Sequence, residues 1–332
     1  MSRLLIVRLG SLGDLVHTLP AVSAIRRAHP DVEIDWLVDA AHRDFLELVP
    51  ILSSVIVLRQ PTVGGWWEVR RALRARQYAV ALDFQGLLKS AALTWLSGAR
   101  RSVGFQIRSL REPVAALFYS EFVNVMPATH VIEKNLHLAA HVGADTSRLE
   151  FPLRDVASTA LDQIRARGVE AFVLLNCGAA WPNKRWPADR FGRIAAWLRD
   201  RHGLTSVALW GPGEDALAAE VSRVSGGAAI AAPRTGLRDL VALARAARLM
   251  VSGDTGPTHI AGAVGTPTVA LFGPTDPARN GPWGAGDVEI SRYGPCDCHY
   301  ERACHRDPSA WCLGTITEDE VRQAITARLE RT

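Results

Sequence analysis

The chain of 332 residues is 48% hydrophobic and 22% charged, with a formal net charge of +4, a composition that supports packed cores and excludes a disordered or fibrous polymer. No run of about 18 apolar residues is present, which excludes a membrane-spanning helix. The apolar stretch at the start, bracketed by Arg3 and Arg8, is too short for a signal peptide. The five cysteines, four of them between Cys296 and Cys312, do not form a secreted disulfide framework in a chain this size, so a cytoplasmic location is expected.

In chain order, Leu4 to Val7 reads as a buried strand, Gly10 and Gly13 punctuate a turn, and Leu15 to Leu19 begins a helix that continues to Ala28. Such a turn offers free backbone N–H groups and the positive end of a helix dipole to an anion. Asp14 stands at that place, which points to a carboxylate with a task of its own. EIDWLV and SVIVL read as strands, with a helical stretch near Arg43 to Leu48 between them. PTVGGWWEVRRALRARQYAV then predicts a basic amphipathic helix with Trp66 and Trp67 near its start. Between positions 51 and 111 ten basic residues face only Glu68 and Asp83. That excess suits a phosphorylated substrate or an anionic membrane surface, whereas no nucleic-acid-binding motif is present.

The strand AVALDF leads into DFQGLLKSAAL, which sets Asp83, Gln85, Lys89 and Ser90 at the strand end and predicts a helix over Leu87 to Leu96. RSLREPVAALFY adds Arg108 and Arg111 beside a predicted amphipathic helix, so that with Asp14 these residues suggest a mostly cationic pocket for an anionic, hydroxyl-bearing acceptor.

A charged helical stretch, Asp155 to Arg167, precedes the second half, which repeats the alternation: FVLLN, a helix around Phe191 to Leu198, SVALWG, a helix after Glu214, AAIAA, a helix over Leu237 to Ala247, LMVSG and TVALFG. Short strands alternating with helices predict parallel sheets covered on both faces. The fold class expected is therefore α/β, with two Rossmann-like, doubly wound domains, over 1–160 and 161–332. The second includes a cysteine-rich tail at 296–312 and a final helix at 317–330, announced by the capping box of Thr317 and Glu320. Ligands in open α/β sheets bind beyond the carboxyl ends of the strands, so a cleft between the two domains is expected.

Three loops of the second half carry chemistry. In SGDTGPTH, Asp254 and Thr255 end a strand, Gly256 permits close backbone approach and Pro257 suits a first helical turn, so the loop can cradle a diphosphate with His259 beside it. NCGAAWPNKRWP places Lys184 and Arg185 after a strand, and Glu214 in WGPGEDA can accept hydrogen bonds from ribose hydroxyls. In the tail, Cys296, Cys298, Cys304 and Cys312, with His299 and His305 interspersed, can hold a structural zinc or iron, or stand as free thiols.

GSLGDLVHTLP, DFQGLLKSAAL, REPVAALFY, KRWP, WGPGE, SGDTGPTH and LFGPTDP together resemble the ADP-heptose:lipopolysaccharide heptosyltransferases, glycosyltransferase family 9, almost end to end. DFQGLLKSA with REPVAALFY is most similar to the type I enzymes. The resemblance implies a GT-B fold and an inverting, metal-independent transfer, with no cofactor required. Heptose would pass from ADP-L-glycero-D-manno-heptose to a Kdo residue of the lipopolysaccharide inner core. It further implies a Kdo–lipid A type acceptor and peripheral work at the cytoplasmic leaflet of the inner membrane. Matched residue by residue, it makes Asp14 the general base, Lys184 the diphosphate-contacting lysine and Glu214 the ribose-contacting acid. Asp254, Thr255, Gly256 and His259 become the donor loop, and Gln85, Lys89 and Arg111 lie on the acceptor side. Ala179 and Ala180 stand where type I relatives often carry threonines. Type II or protein O-heptosyl transfer is the alternative within the family, and a non-catalytic sugar-nucleotide-binding protein the alternative outside it. A nicotinamide-dependent oxidoreductase is disfavoured because no strand leads into G-x-G-x-x-G.

Overall fold

A computed structural model describes residues 2–59, 62–126, 129–304, 306 and 312–331. The chain divides into two compact units between Arg154 and Asp155, and each is built on a six-stranded sheet in which every strand pair is parallel.

The first unit runs β1 (Arg3–Val7), α1 (Leu12–Ala28), β2 (Glu33–Asp39), α2 (Arg43–Leu46), β3 (Ser54–Leu58), α3 (Val63–Arg74), β4 (Val80–Asp83), α4 (Leu88–Leu96), β5 (Arg101–Phe105), β6 (Glu121–Val123) and α5 (Val131–His141). Its strand order, β3-β2-β1-β4-β5-β6, reverses direction between β1 and β4. Leu4 to Val7 and Val80 to Leu82 are wholly buried because helices cover both sheet faces. The register pairs Val7 with Asp83, which makes neighbours of the turns that follow β1 and β4. Gly104 in β5 lies flat against the Tyr119 ring, where an added Cβ would come within 2.3 Å of it.

The expected amphipathic helix in REPVAALFY is instead a 3₁₀ turn, Pro113–Phe118, preceded by another at Ile107–Ser109. Pro113 sets the start, and the chain must reach the short edge strand β6 a few residues later, leaving too little length for an α-helix. Val114 and Leu117 consequently stay exposed.

The second unit runs α6 (Thr159–Arg165), β7 (Phe172–Asn176), α7 (Ala188–His202), β8 (Thr205–Leu209), α8 (Asp215–Val224), β9 (Ala229–Ala231), α9 (Leu237–Ala246), β10 (Leu249–Gly253), α10 (Gly256–Ala263), β11 (Thr268–Phe272), α11 (Pro277–Asn280), β12 (Val288–Ser291) and α12 (Glu318–Leu329). Its order is β12-β11-β10-β7-β8-β9, with the reversal between β10 and β7. Val173, Leu175, Val251 and Leu271 on the sheet, Phe191 and Ile194 on α7 and Val321 and Ile325 on α12 share one core. The predicted capping box closes the start of α12, where the Thr317 hydroxyl accepts from the Glu320 N–H at 3.3 Å. Among the described residues no helix is long and apolar enough to cross a membrane.

Candidate active site

The two strand-order reversals are where a doubly wound sheet opens a crevice beyond its carboxyl edge, and the residues singled out above gather at both. In the first unit Asp14 sits in the first turn of α1. Its carboxylate accepts from the Ser11 N–H at 3.0 Å and pairs with an Arg8 guanidinium nitrogen at 2.5 Å. Arg8, almost buried, also donates to the Phe84 carbonyl after β4. Gln85 Oε1 accepts from the Leu9 N–H at 2.9 Å, so Gln85 ties the turn after β4 to the turn after β1. Lys89 Nζ lies 3.5 Å from Asp39 at the end of β2, with about a third of its side chain exposed. Arg111 is exposed in the loop before Pro113.

Two residues here read differently in three dimensions. Asp83, expected in a polar pocket, is fully buried and shapes the turn, accepting from the Tyr119 and Ser90 hydroxyls at 2.7 and 2.8 Å and the Gln85 N–H at 2.8 Å. Burial raises its carboxyl despite these hydrogen bonds. His42, which no motif marked, lies against Gly10, where a Cβ would fall 2.9 Å from its Nε2. Burial pushes its imidazole down, and the charges of Asp39 and Asp14 oppose this, so the ring beside the Asp14 turn is predominantly neutral at pH 7.

In the second unit the turn after β10 carries Asp254, the Thr255 N-cap and Gly256, the first residue of α10. Asp254 is a hub. Oδ2 receives Lys184 Nζ at 2.5 Å and the Thr275 hydroxyl at 2.7 Å; Oδ1 receives Asn280 Nδ2 at 2.7 Å, with His259 Nε2 at 3.3 Å. Burial alone would raise this carboxyl, but His259 and Lys184 outweigh it and hold it well below the ordinary range. Thr255 Oγ1 accepts from Asn176 Nδ2 at 2.9 Å at the end of β7 and meets the Ser252 and Thr258 hydroxyls at 3.3 and 3.2 Å. At this helix start the Thr258 and His259 N–H groups are spent on the Thr255 carbonyl at 3.1 and 3.4 Å and Pro257 has none, which leaves the Gly256 N–H for a ligand. Gly253 permits this assembly, since a Cβ there would come within 2.6 Å of the Lys184 carbonyl.

Glu214 caps the start of α8. Its carboxylate accepts from the Gly211 N–H at 2.9 Å, meets Arg185 Nη2 at 3.1 Å, and fills the space that a Cβ on Gly178 would need. Thr275, Asn280 and Gly178 were missed in the sequence reading; LFGPTDP was noted as a motif, but nothing in its spacing says that Thr275 reaches Asp254. The nearby thiol of Cys177 is buried and pushed up to about 12, so it is no nucleophile.

The four tail cysteines meet in pairs. Cys298 Sγ lies 3.8 Å from Cys304 Sγ, and Cys312 hydrogen-bonds Cys296, its thiol pushed up to about 12 chiefly by burial and then by Cys296. All are free thiols, and among the described residues no three His, Cys, Asp or Glu side chains are set to hold a metal ion. His299 stacks on Tyr293 and contacts its carbonyl at 2.8 Å; His305 lies outside the described residues. The tail abuts the loops after β7 and β11: the Tyr300 N–H donates to the Pro274 carbonyl at 2.8 Å, and Asn183 Nδ2 to the Glu301 carbonyl at 2.8 Å.

The family model for glycosyltransferase family 9 (heptosyltransferase) matches residues 66–309. Lipopolysaccharide heptosyltransferase 1 of Pseudomonas aeruginosa is 31% identical over 327 residues, covering 92% of this chain and 88% of that protein. E. coli heptosyltransferase WaaC, solved with ADP, superposes with a TM-score of 0.76 at 25% identity, covering 99% of this chain and 98% of that one. A family 9 glycosyl transferase from Veillonella parvula shares the fold, with a TM-score of 0.84 at 22% identity over 100% of this chain and 98% of that one. The chain belongs to glycosyltransferase family 9, the heptosyltransferases, and is a glycosyltransferase of the GT-B fold.

Proposed function

We propose that this protein transfers heptose from ADP-L-glycero-D-manno-heptose to a Kdo residue of the lipopolysaccharide inner core, with inversion and without a metal. The observation that carries the reading is the Asp254 hub, in which Lys184 is delivered to the start of α10 beside Thr255 and Gly256. A cation beside the Gly256 N–H and the positive end of a helix suits a diphosphate. Glu214, accepting from Gly211 and facing Arg185, suits the ribose hydroxyls, and His259 the sugar side of the donor.

In the reaction the acceptor hydroxyl oxygen forms a bond to the anomeric carbon while the bond from that carbon to the diphosphate oxygen breaks. The leaving ADP carries the electron pair away, and its growing charge falls to Lys184 and the Gly256 N–H at the start of α10. Asp14 takes the hydroxyl proton. The Arg8 ion pair holds the Asp14 carboxylate in place. Lys89, Arg111 and Gln85 serve the acceptor side.

The acceptor is lipid-borne, so the enzyme works as a peripheral protein at the cytoplasmic leaflet. At the tail, Cys296, Cys298, Cys304 and Cys312 would be the residues to hold a structural zinc or iron, although as two separate thiol pairs they are not set for one. Metal analysis of protein purified without chelator checks this, and a stoichiometry near zero removes it. The transfer reading is tested by product analysis with ADP-heptose and defined Kdo acceptors, with ADP-mannose as control. One heptose added to Kdo is expected. Addition only to an already heptosylated core, or binding without turnover, overturns it.

A further inference from the structure

We propose that the surface around α3 in the first unit is a bilayer-docking site, in which a groove between α3 and α4 receives a phospholipid acyl chain while arginines beside it bind headgroup phosphates. The proposal rests on the lipid-borne acceptor of the preceding section and names the surface that meets the lipid.

The sequence of α3 divides the helix unevenly. Val69 and Leu73 are buried and Trp66 packs beside them on the core of this unit. Val63 and Trp67, one turn apart, point the other way and are 78% and 60% exposed. Arg70 and Arg74 continue that stripe at helical spacing, and the Arg70 guanidinium lies over the Trp67 ring, 4.9 Å from its centroid. Thr62, Val63, Trp66, Trp67, Arg70 and Leu96 line a groove of about 430 Å³. Its lining is apolar carbon apart from the Thr62 hydroxyl and the Arg70 head, and no segment among the described residues fills it.

The apolar surface continues beyond the groove. Trp95, on the same helix as Leu96, is 57% exposed and stacks edge-on against Phe118 at 6.3 Å; Leu117 is 83% exposed. Contiguous apolar patches of this kind mark interaction surfaces. Tryptophan beside arginine is the pairing that suits the boundary between acyl chains and phosphates.

Charge selects the occupant. Arg70, Arg71 and Arg74 face a single acid on α3, Glu68, and Arg108 and Arg111 are exposed on the following loop. A second copy of this chain, docked through the same patch about a two-fold axis, would bring these arginines against one another. An anionic bilayer neutralises them. Arg76, from the same basic run, is not part of the surface, because Nη1 is spent on the buried Asp35 at 2.8 Å.

The test is flotation of the full chain with vesicles of phosphatidylethanolamine and phosphatidylglycerol, against vesicles of phosphatidylcholine alone. Wild type is expected to float with the anionic vesicles and to be released partly by 0.5 M salt, given electrostatic attraction within about a Debye length. The double variant Val63→Ser, Trp67→Ser is expected to lose about tenfold or more in partitioning, and Arg70→Ser, Arg71→Ser, Arg74→Ser to lose the preference for anionic vesicles. Phospholipids brominated on the acyl chain should quench part of the tryptophan emission of wild type and less of Trp67→Phe. Thermal melts establish that the variants fold, and transfer to a water-soluble, deacylated Kdo acceptor should be unchanged in all of them. Flotation unaltered by Val63→Ser, Trp67→Ser, or a wild-type dimer that this variant turns into a monomer, overturns the docking site. Failure of wild type to transfer heptose to the soluble acceptor overturns the proposed reaction and leaves the flotation result standing.

Discussion

Two buried aspartates occupy corresponding places in the two units, each at a strand end where the strand order reverses, yet their chemistry is opposite. Asp83 is surrounded by neutral donors, the Tyr119 and Ser90 hydroxyls and backbone N–H groups, and burial raises its carboxyl. Asp254 meets Lys184 and His259, and these two partners drive its carboxyl down. Burial is common to both; the partners decide whether the carboxylate braces a turn or anchors a cation that a ligand can use. The same division extends to the surface. Of the eleven exposed large apolar side chains among the described residues, nine lie in the first unit and only Trp283 and Tyr300 in the second.

The largest effect expected from breaking this division is at Asp14. Asp14→Asn keeps the shape and removes the base, so kcat should fall by about 10²- to 10⁴-fold, with the KM for ADP-heptose little changed. Steady-state kinetics on both substrates decide the point, and a variant keeping more than about a tenth of wild-type turnover removes the assignment.

Lys184→Ala comes next, with kcat reduced by about 10²- to 10³-fold. If the same cation binds ADP in the ground state, as proposed, weaker ADP binding by calorimetry accompanies the loss, which Asp14→Asn should not show.

Asp254→Asn should cost about 3 kcal/mol of stability at pH 7 by stripping the largely covered Lys184 ammonium of its counter-charge. The sign with pH follows from the depressed carboxyl: its contribution is complete above the ordinary carboxylate value of 3.8 and is lost as pH falls below it. Denaturant melts of variant and wild type should therefore converge in acid, and a gap that is constant with pH refutes the ion-pair account.

The smallest effect is at Gly178. In Gly178→Ala the new methyl would lie 1.9 Å from Glu214 Oε2, forcing the carboxylate away. A roughly tenfold rise in donor KM, equivalent to one charge-assisted hydrogen bond of about 1.5 kcal/mol, is expected with kcat nearly constant.

Much of this architecture was legible before any coordinates. Apolar runs such as LLIVR, VALD, FVLLN and LMVSG became strands because parallel sheets buried on both faces demand unbroken hydrophobic runs. The strand ends in turn located Asp14, Glu214 and the Asp254 loop. Elements without that signature stayed hidden. β5 opens on the polar Arg101 and Ser102 and holds Gly104, which suits the Tyr119 ring rather than a strand, and β6 is a three-residue edge. REPVAALFY has helical composition, but the room available to it admits only a 3₁₀ turn.

Local chemistry thus belonged to the chain order: which residues end strands, which helices start with a free cap, where cations and tryptophans cluster. Tertiary structure alone decided the partners. Thr275 and Asn280 reach Asp254 from 21 and 26 positions away, Lys184 from 70, and Arg76 is withdrawn from the basic surface by Asp35. The physical reason is that periodicity reports which face a side chain shows, whereas a carboxylate's charge state and task depend on donors brought to it by strands distant in sequence.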